Sequence, residues 1–193
     1  PRTSLRSRAA SSAALTPGPT AMHTYHDPSY KISFDYPANW TFTQRDHEIS
    51  TFRLDARTAD RKTMLRAVTA IPENPYPSST FTGAFVYLSV TPHTNEAKCA
   101  GQAAASGSDK RDVARIGGMS FVHGHDEQRH ICTVERDEIY TTYRKGACFR
   151  FDLAINNFCG GEVSGVKDVT QQELETVRSR MEAIVSTVRF DPK

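Results

Sequence analysis

The sequence predicts an α+β domain. Apolar and polar side chains alternate from Tyr30 to Tyr36, two β-rich runs flank a short glycine turn at Lys145-Gly146, and one amphipathic helix stands near the C-terminus. The size agrees with one core: 193 residues, 38% hydrophobic and 24% charged, with a mean hydropathy of −0.52, suit one domain plus a tail. No run approaches the ~20 apolar residues with which a helix crosses a bilayer. Ten prolines, eleven glycines and four cysteines exclude collagen-like, coiled-coil and cysteine-dense classes.

Residues 1–25 are mostly Ala, Ser, Thr, Pro and Arg, with little to bury, so a disordered leader or linker is expected there and a single globular domain over 26–193. Tyr30, Ile32, Phe34 and Tyr36 face one side of a strand, opposite Lys31, Ser33 and Asp35. Pro37-Ala38-Asn39 turns the chain into a second strand at Trp40 and Phe42. Ile49, Phe52 and Leu54 suggest a third, and Met64 to Ile71 a fourth or a short helix. The proline-punctuated residues 72–80 lack too many backbone donors for a central strand. Phe85 to Val90 is apolar on both faces and reads as a buried strand.

Asn95 to Ala105 has weak helical character, ended by Ser106-Gly107-Ser108. Val113 to Ile116, the Gly117-Gly118 turn and Met119 to His125 then form a hairpin, and Ile139 to Tyr143 with Cys148 to Ile155 another. The final helix starts from Asp168 with Gln171, or from Thr170 with Glu173 as a competing capping box. Leu174, Val177, Met181, Ile184 and Val185 fall on one stripe, which is a core face. Thr187 to Phe190 closes the chain as a short strand, and no internal repeat is visible.

The formal charge is +2, but residues 1–25 carry Arg2, Arg6 and Arg8 and no acid, so the body holds 21 basic side chains (24 less 3) against 22 acidic ones. That balance lacks the basic footprint of a nucleic-acid binder. Cys99, Cys132, Cys148 and Cys159 contain no C-x-x-C pair, which leaves disulfides or buried free thiols. A two-residue Lys145-Gly146 loop sets Tyr143 opposite Cys148 and, on longer strands, Cys132 opposite Cys159. Directly opposed residues lie ~4.5–5.5 Å apart at Cα, within bridging range. Cys132 is therefore expected with Cys159, leaving Cys99 with Cys148, in an oxidising compartment. The chain begins at Pro1, so a signal peptide removed upstream is part of that expectation.

P-loop, dinucleotide, His-Glu-x-x-His and Gly-x-Ser-x-Gly motifs do not occur, and neither Ser120 nor Ser164 has a local nucleophile context. Asp126-Glu127 and Asp137-Glu138 stand in polar, turn-like stretches and read as solvated. The remaining constellation is His123, His125 and His130. Histidines at i and i+2 of a strand share a face roughly 7 Å apart, close enough for one zinc ion. A tight turn over 126–129 would bring His130 opposite His125, giving three imidazoles on one face. The competing reading is an exposed polar hairpin tip.

Tyr30-Lys31-Ile32-Ser33-Phe34-Asp35-Tyr36-Pro37-Ala38-Asn39-Trp40 resembles the opening of PsbP-like domains, an aromatic-rich strand ending in Tyr-Pro-x-x-Trp. Met181 to Phe190 resembles their helix-into-strand ending, and Phe81 to Val90 with Gly146-Ala147-Cys148-Phe149 is similar to exported bacterial relatives. The resemblance implies an αβα sandwich around a mostly antiparallel sheet. It also implies a non-enzymatic accessory or binding domain outside the cytoplasm, whether periplasmic, secreted or at the cell surface, with a protein partner or small ligand and no cofactor. The rival expectation is a metal-binding or metal-dependent hydrolytic protein built on His123, His125 and His130, which elemental analysis of untagged protein would separate. A third is a structural module displayed on the basic tail.

Overall fold

In the computed structural model, residues 21–49, 61–103, 111–158, 160 and 165–192 are described. The alternation at Tyr30 to Tyr36 becomes strand β2 (Ile32–Pro37), which pairs antiparallel with β1 (Met22–Asp27), Tyr25 opposite Phe34. β1 crosses the boundary expected after residue 25. Its first three side chains are exposed, so nothing apolar marks it in the sequence, yet Tyr25 and Asp27 are buried. β10 (Arg189–Phe190) pairs with the other edge of β2 and completes a three-stranded sheet.

The larger sheet is antiparallel throughout. It holds β3 (Thr41–Thr43), β4 (Met64–Ala70), β5 (Phe81–Thr91), β6 (Arg111–Ile116), β7 (Met119–His130), β8 (Thr133–Arg144) and β9 (Ala147–Phe158), in the order β3-β4-β5-β9-β8-β7-β6. Met64 to Ala70 is thus a strand and not a helix. The strand expected through Phe52 and Leu54, the Ser106-Gly107-Ser108 breaker and Ser164 lie outside the described residues.

Period-2 alternation gives the sheet two faces. On one, Phe149, Phe151, Leu153 and Ile155 of β9 meet Val86, Leu88 and Val90 of β5, under Phe34 and Trp40 and under the helix α2 (Gln171–Val185). Each such buried side chain contributes about 2 kcal/mol before chain entropy is subtracted. The Thr170–Glu173 pair caps α2 reciprocally, and Leu174, Val177, Met181, Ile184 and Val185 are its buried stripe. On the opposite face the short helix α1 (Glu96–Gly101) sits over β8 and β9, capped by Asn95 and fastened by the Cys99–Cys148 disulfide, Cα to Cα 5.2 Å. Helices on both faces of a mostly antiparallel sheet make the fold α+β.

The β8–β9 register is the one that the Lys145-Gly146 turn dictates. Both turn residues have positive φ, 49° and 81°, as a tight hairpin loop requires, and Tyr143 lies opposite Cys148. The register runs on to Thr133 opposite Phe158. Cys132 is disulfide-bonded; its expected partner, Cys159, lies outside the described residues. The β7–β8 hairpin corrects the sequence reading. Its loop is Ile131-Cys132, not 126–129, because His130 pairs with Thr133, and Asp126 and Glu127 lie within the strand opposite Asp137 and Arg136. The strand pairing buries Asp137 (2% exposed) and Glu138 (7%), which read as solvated.

Candidate functional site

The β7–β8 register sorts the three histidines. His123 stands opposite Tyr140 and His125 opposite Glu138, so both project from the face that α2 covers. His130 has the other parity and points from the opposite face, beside the exposed loop. The structure therefore brings His123 and His125 together and leaves His130 apart. Among the described residues, no group of three or more His, Cys, Asp or Glu side chains is arranged to hold a metal ion.

His123 and His125 converge on Glu138. His123 Nε2 is 2.8 Å from Glu138 Oε2 and His125 Nδ1 is 3.0 Å from Oε1, while Arg178 of α2 donates to Oε1 from 2.9 Å. The other nitrogen of His123 meets Asp112 of β6 at 2.9 Å, and its ring stacks on Tyr140 with centroids 4.6 Å apart. Tyr140 in turn donates to Glu182 at 2.9 Å. Burial would raise the Glu138 carboxyl, but hydrogen bonds from His123 and His125, with the charge of Arg178, hold it down at about 2. The Glu138 hydrogen bond raises both imidazoles above their ordinary value, against partial burial. Chemically this is a charged clasp joining β6, β7 and β8 to α2, in which both nitrogens of His123 and both oxygens of Glu138 are engaged.

On the opposite face, Arg150 donates through Nε to both oxygens of Asp152, at 2.8 and 3.0 Å, and all three of Arg150, Asp152 and Asp137 are buried. Burial, then the charge of Asp152, raises the Asp137 carboxyl well above its ordinary value, so Asp137 holds a proton far more readily than a solvated acid.

A second concave surface lies elsewhere. A groove of about 700 Å³ runs between the β1–β2 turn, the loop 92–94, the β8–β9 turn and β10. Tyr30, Phe149 and Phe190 form its floor, edge to face: Tyr30 to Phe149 at 6.0 Å and Phe149 to Phe190 at 4.8 Å. Arg66 lies 5.2 Å from the Tyr30 centroid and Arg144 4.3 Å from that of Phe190. Lys31 and Lys145 stand at the two turn tips.

Buried Asp27 fixes one wall. It accepts from Arg66 Nε at 2.6 Å and from the Ser29 and Tyr30 amides at 2.9 and 3.1 Å. Burial would raise its carboxyl, and those bonds bring it below the ordinary value. The rim is tied by backbone: Asp191 N–H donates to Lys31 at 3.0 Å and Thr94 N–H to Gly146 at 3.1 Å. Of the five non-glycine residues at positive φ among the described residues, Lys31, His93 and Lys145 line this groove.

Sequence reasoning missed the groove because its parts come from four separate turns and strand ends. Arg144-Lys145 at a recognised hairpin loop was the one signal present. It also missed Glu138, whose partners stand fifteen residues upstream in β7 and on a helix forty residues downstream.

No protein-family model matches this chain. No curated protein matches it in sequence. Eleven chains of solved structures match, three of them as follows. A crystal structure from Bacteroides thetaiotaomicron has a TM-score of 0.48 and 11% identity over 88% of this chain and 48% of its own, so this chain spans about half of that one. The solution structure of cyanobacterial PsbP from Synechocystis has 0.45 and 12%, over 95% of this chain and 99% of its own. LpqN, involved in cell envelope biogenesis of Mycobacterium tuberculosis, has 0.44 and 13%, over 89% and 91%. The fold is α+β and mostly antiparallel.

Proposed function

We propose that this chain is a non-enzymatic accessory domain of an extracytoplasmic compartment that binds its ligand in the groove between Lys31, Arg66, Arg144 and Phe190. The groove itself carries the reading. It is a concave surface whose volume of about 700 Å³ suits a small ligand, and its walls are fixed by the Asp27–Arg66 pair and the two backbone ties before anything binds. The compartment is supported by Cys99–Cys148 and by bonded Cys132, since reducing cytosol keeps thiols free.

A fragment collection screened by ligand-observed NMR, with hits placed by backbone amide shifts, tests this. Hits are expected to cluster at residues 30–31, 93–94, 144–147 and 190–191. Hits that gather around His123, His125 and Glu138 instead overturn the reading.

A further inference from the structure

We infer that the groove takes an amphipathic organic anion, a carboxylate or phosphate head on an apolar body; this rests on the groove being the binding site. Two features of the lining ask for the two halves of such a molecule. The head is set by charge. Arg66 is paired with Asp27, and beyond it Lys31, Arg144 and Lys145 line the groove against one carboxylate, Asp191, which is engaged by His26 at 3.1 Å. Among the described residues no carboxylate pairs with Lys31, Arg144 or Lys145. Arg144 is stacked over Phe190 with its guanidinium held at the end of the aromatic floor, an orientation that presents planar donors to an oxyanion.

The body is set by the floor. Tyr30, Pro92 and Phe190 offer the partly exposed apolar surface, the two rings packed edge to face on buried Phe149 beneath them. An inorganic anion would leave the exposed ring surface wet, and a neutral apolar ligand would strip water from Lys31, Arg144 and Lys145 without replacing it. A space of about 700 Å³ is also far larger than a lone phosphate needs. Only a molecule with both parts satisfies both surfaces. The carboxylate and phosphate forms share this chemistry, and the lysines at the tips make capture of either sensitive to salt.

The test uses the full chain and backbone amide shift mapping with four probes: phenylbutyrate, phenylbutyl phosphate, uncharged phenylbutyramide and inorganic phosphate. Saturable shifts are expected at 30–31, 144–147 and 190–191 with the two anionic amphiphiles, at least tenfold tighter than with the other two probes. The stronger of the two anions identifies the head group. Arg144→Gln with Lys145→Gln, which keeps the Gly146 turn, should weaken them at least tenfold while the rest of the spectrum is unchanged. Equal affinity for phenylbutyramide overturns the anion assignment and leaves the groove as the site; equal affinity for inorganic phosphate overturns the apolar body. Shifts confined to surfaces outside the groove overturn this inference and the proposed function together.

Discussion

Glu138 receives two imidazoles and one guanidinium on a side chain that the sheet and α2 leave only 9% exposed. Removing its charge while keeping its shape leaves three cationic or protonatable groups facing one another. Glu138→Gln should therefore lose about 2 kcal/mol of unfolding free energy at pH 6, below the full value of a completely buried pair because His125 is half exposed. The pH dependence has a definite sign. His123 and His125 are raised, so their contribution is complete below the ordinary value of ~6.5 and fades as pH climbs through their folded values. Glu138 is held at about 2, so its contribution is complete above ~4.3 and fades as pH falls toward 2. The clasp stabilises most between those limits. Urea unfolding of the wild type across pH 5 to 9 should show a decline on the alkaline side that Glu138→Gln flattens; parallel profiles would show that the clasp adds nothing.

At the scale of elements, α1 is held to the sheet at two points that can be broken separately. One is Cys99–Cys148, which closes a separation of 49 residues. Loop entropy of that length corresponds to about 4 kcal/mol, so Cys99→Ala with Cys148→Ala should lower stability by up to that amount, and non-reducing peptide mapping should recover this pair from the wild type. The other is Gly124 on β7, where an added Cβ would stand 1.6 Å from the Ala103 carbonyl oxygen just after α1. Gly124→Ala should cost about 2 kcal/mol by pushing that segment off the sheet, and thermal unfolding with the disulfide intact measures it. The same elements show what sequence can and cannot announce. Lys145-Gly146 declares its hairpin because a glycine supplies the positive φ, and with it come the β8–β9 register and the Cys99–Cys148 pair. The β7–β8 loop has no such residue: Cys132 takes the positive φ, 67°, without any glycine or asparagine to mark it. The polar run 126–129 therefore draws the expected turn, which sets His130 beside His125 and leaves the pairing that buries Asp137 and Glu138 unread.

For the molecule as a whole, α2 could be read complete, from its capping box to its buried stripe, since both signals are local. The groove could not, because chain ends distant in sequence meet there only after the small sheet has docked. The N-terminal boundary tests the same distinction. A chain starting at Ala21 keeps the whole of β1 and is the reference. A chain starting at His26 loses Tyr25, whose hydroxyl lies 3.1 Å from the Arg66 carbonyl, and should melt several degrees lower. The strand order has a consequence for rate. β6 to β9 follow one another as hairpins, whereas β5 must find β9 across the whole intervening chain, Thr91 arriving opposite Cys148. Closing that loop is the slow, entropic part of folding. Cys99 lies just beyond β5 and is bonded to Cys148, the second residue of β9, so an oxidised chain starts with the two strands already tethered. Refolding from urea should accordingly be faster with the disulfide closed than after reduction, and the nascent domain would assemble sooner in an oxidising compartment than in a reducing one.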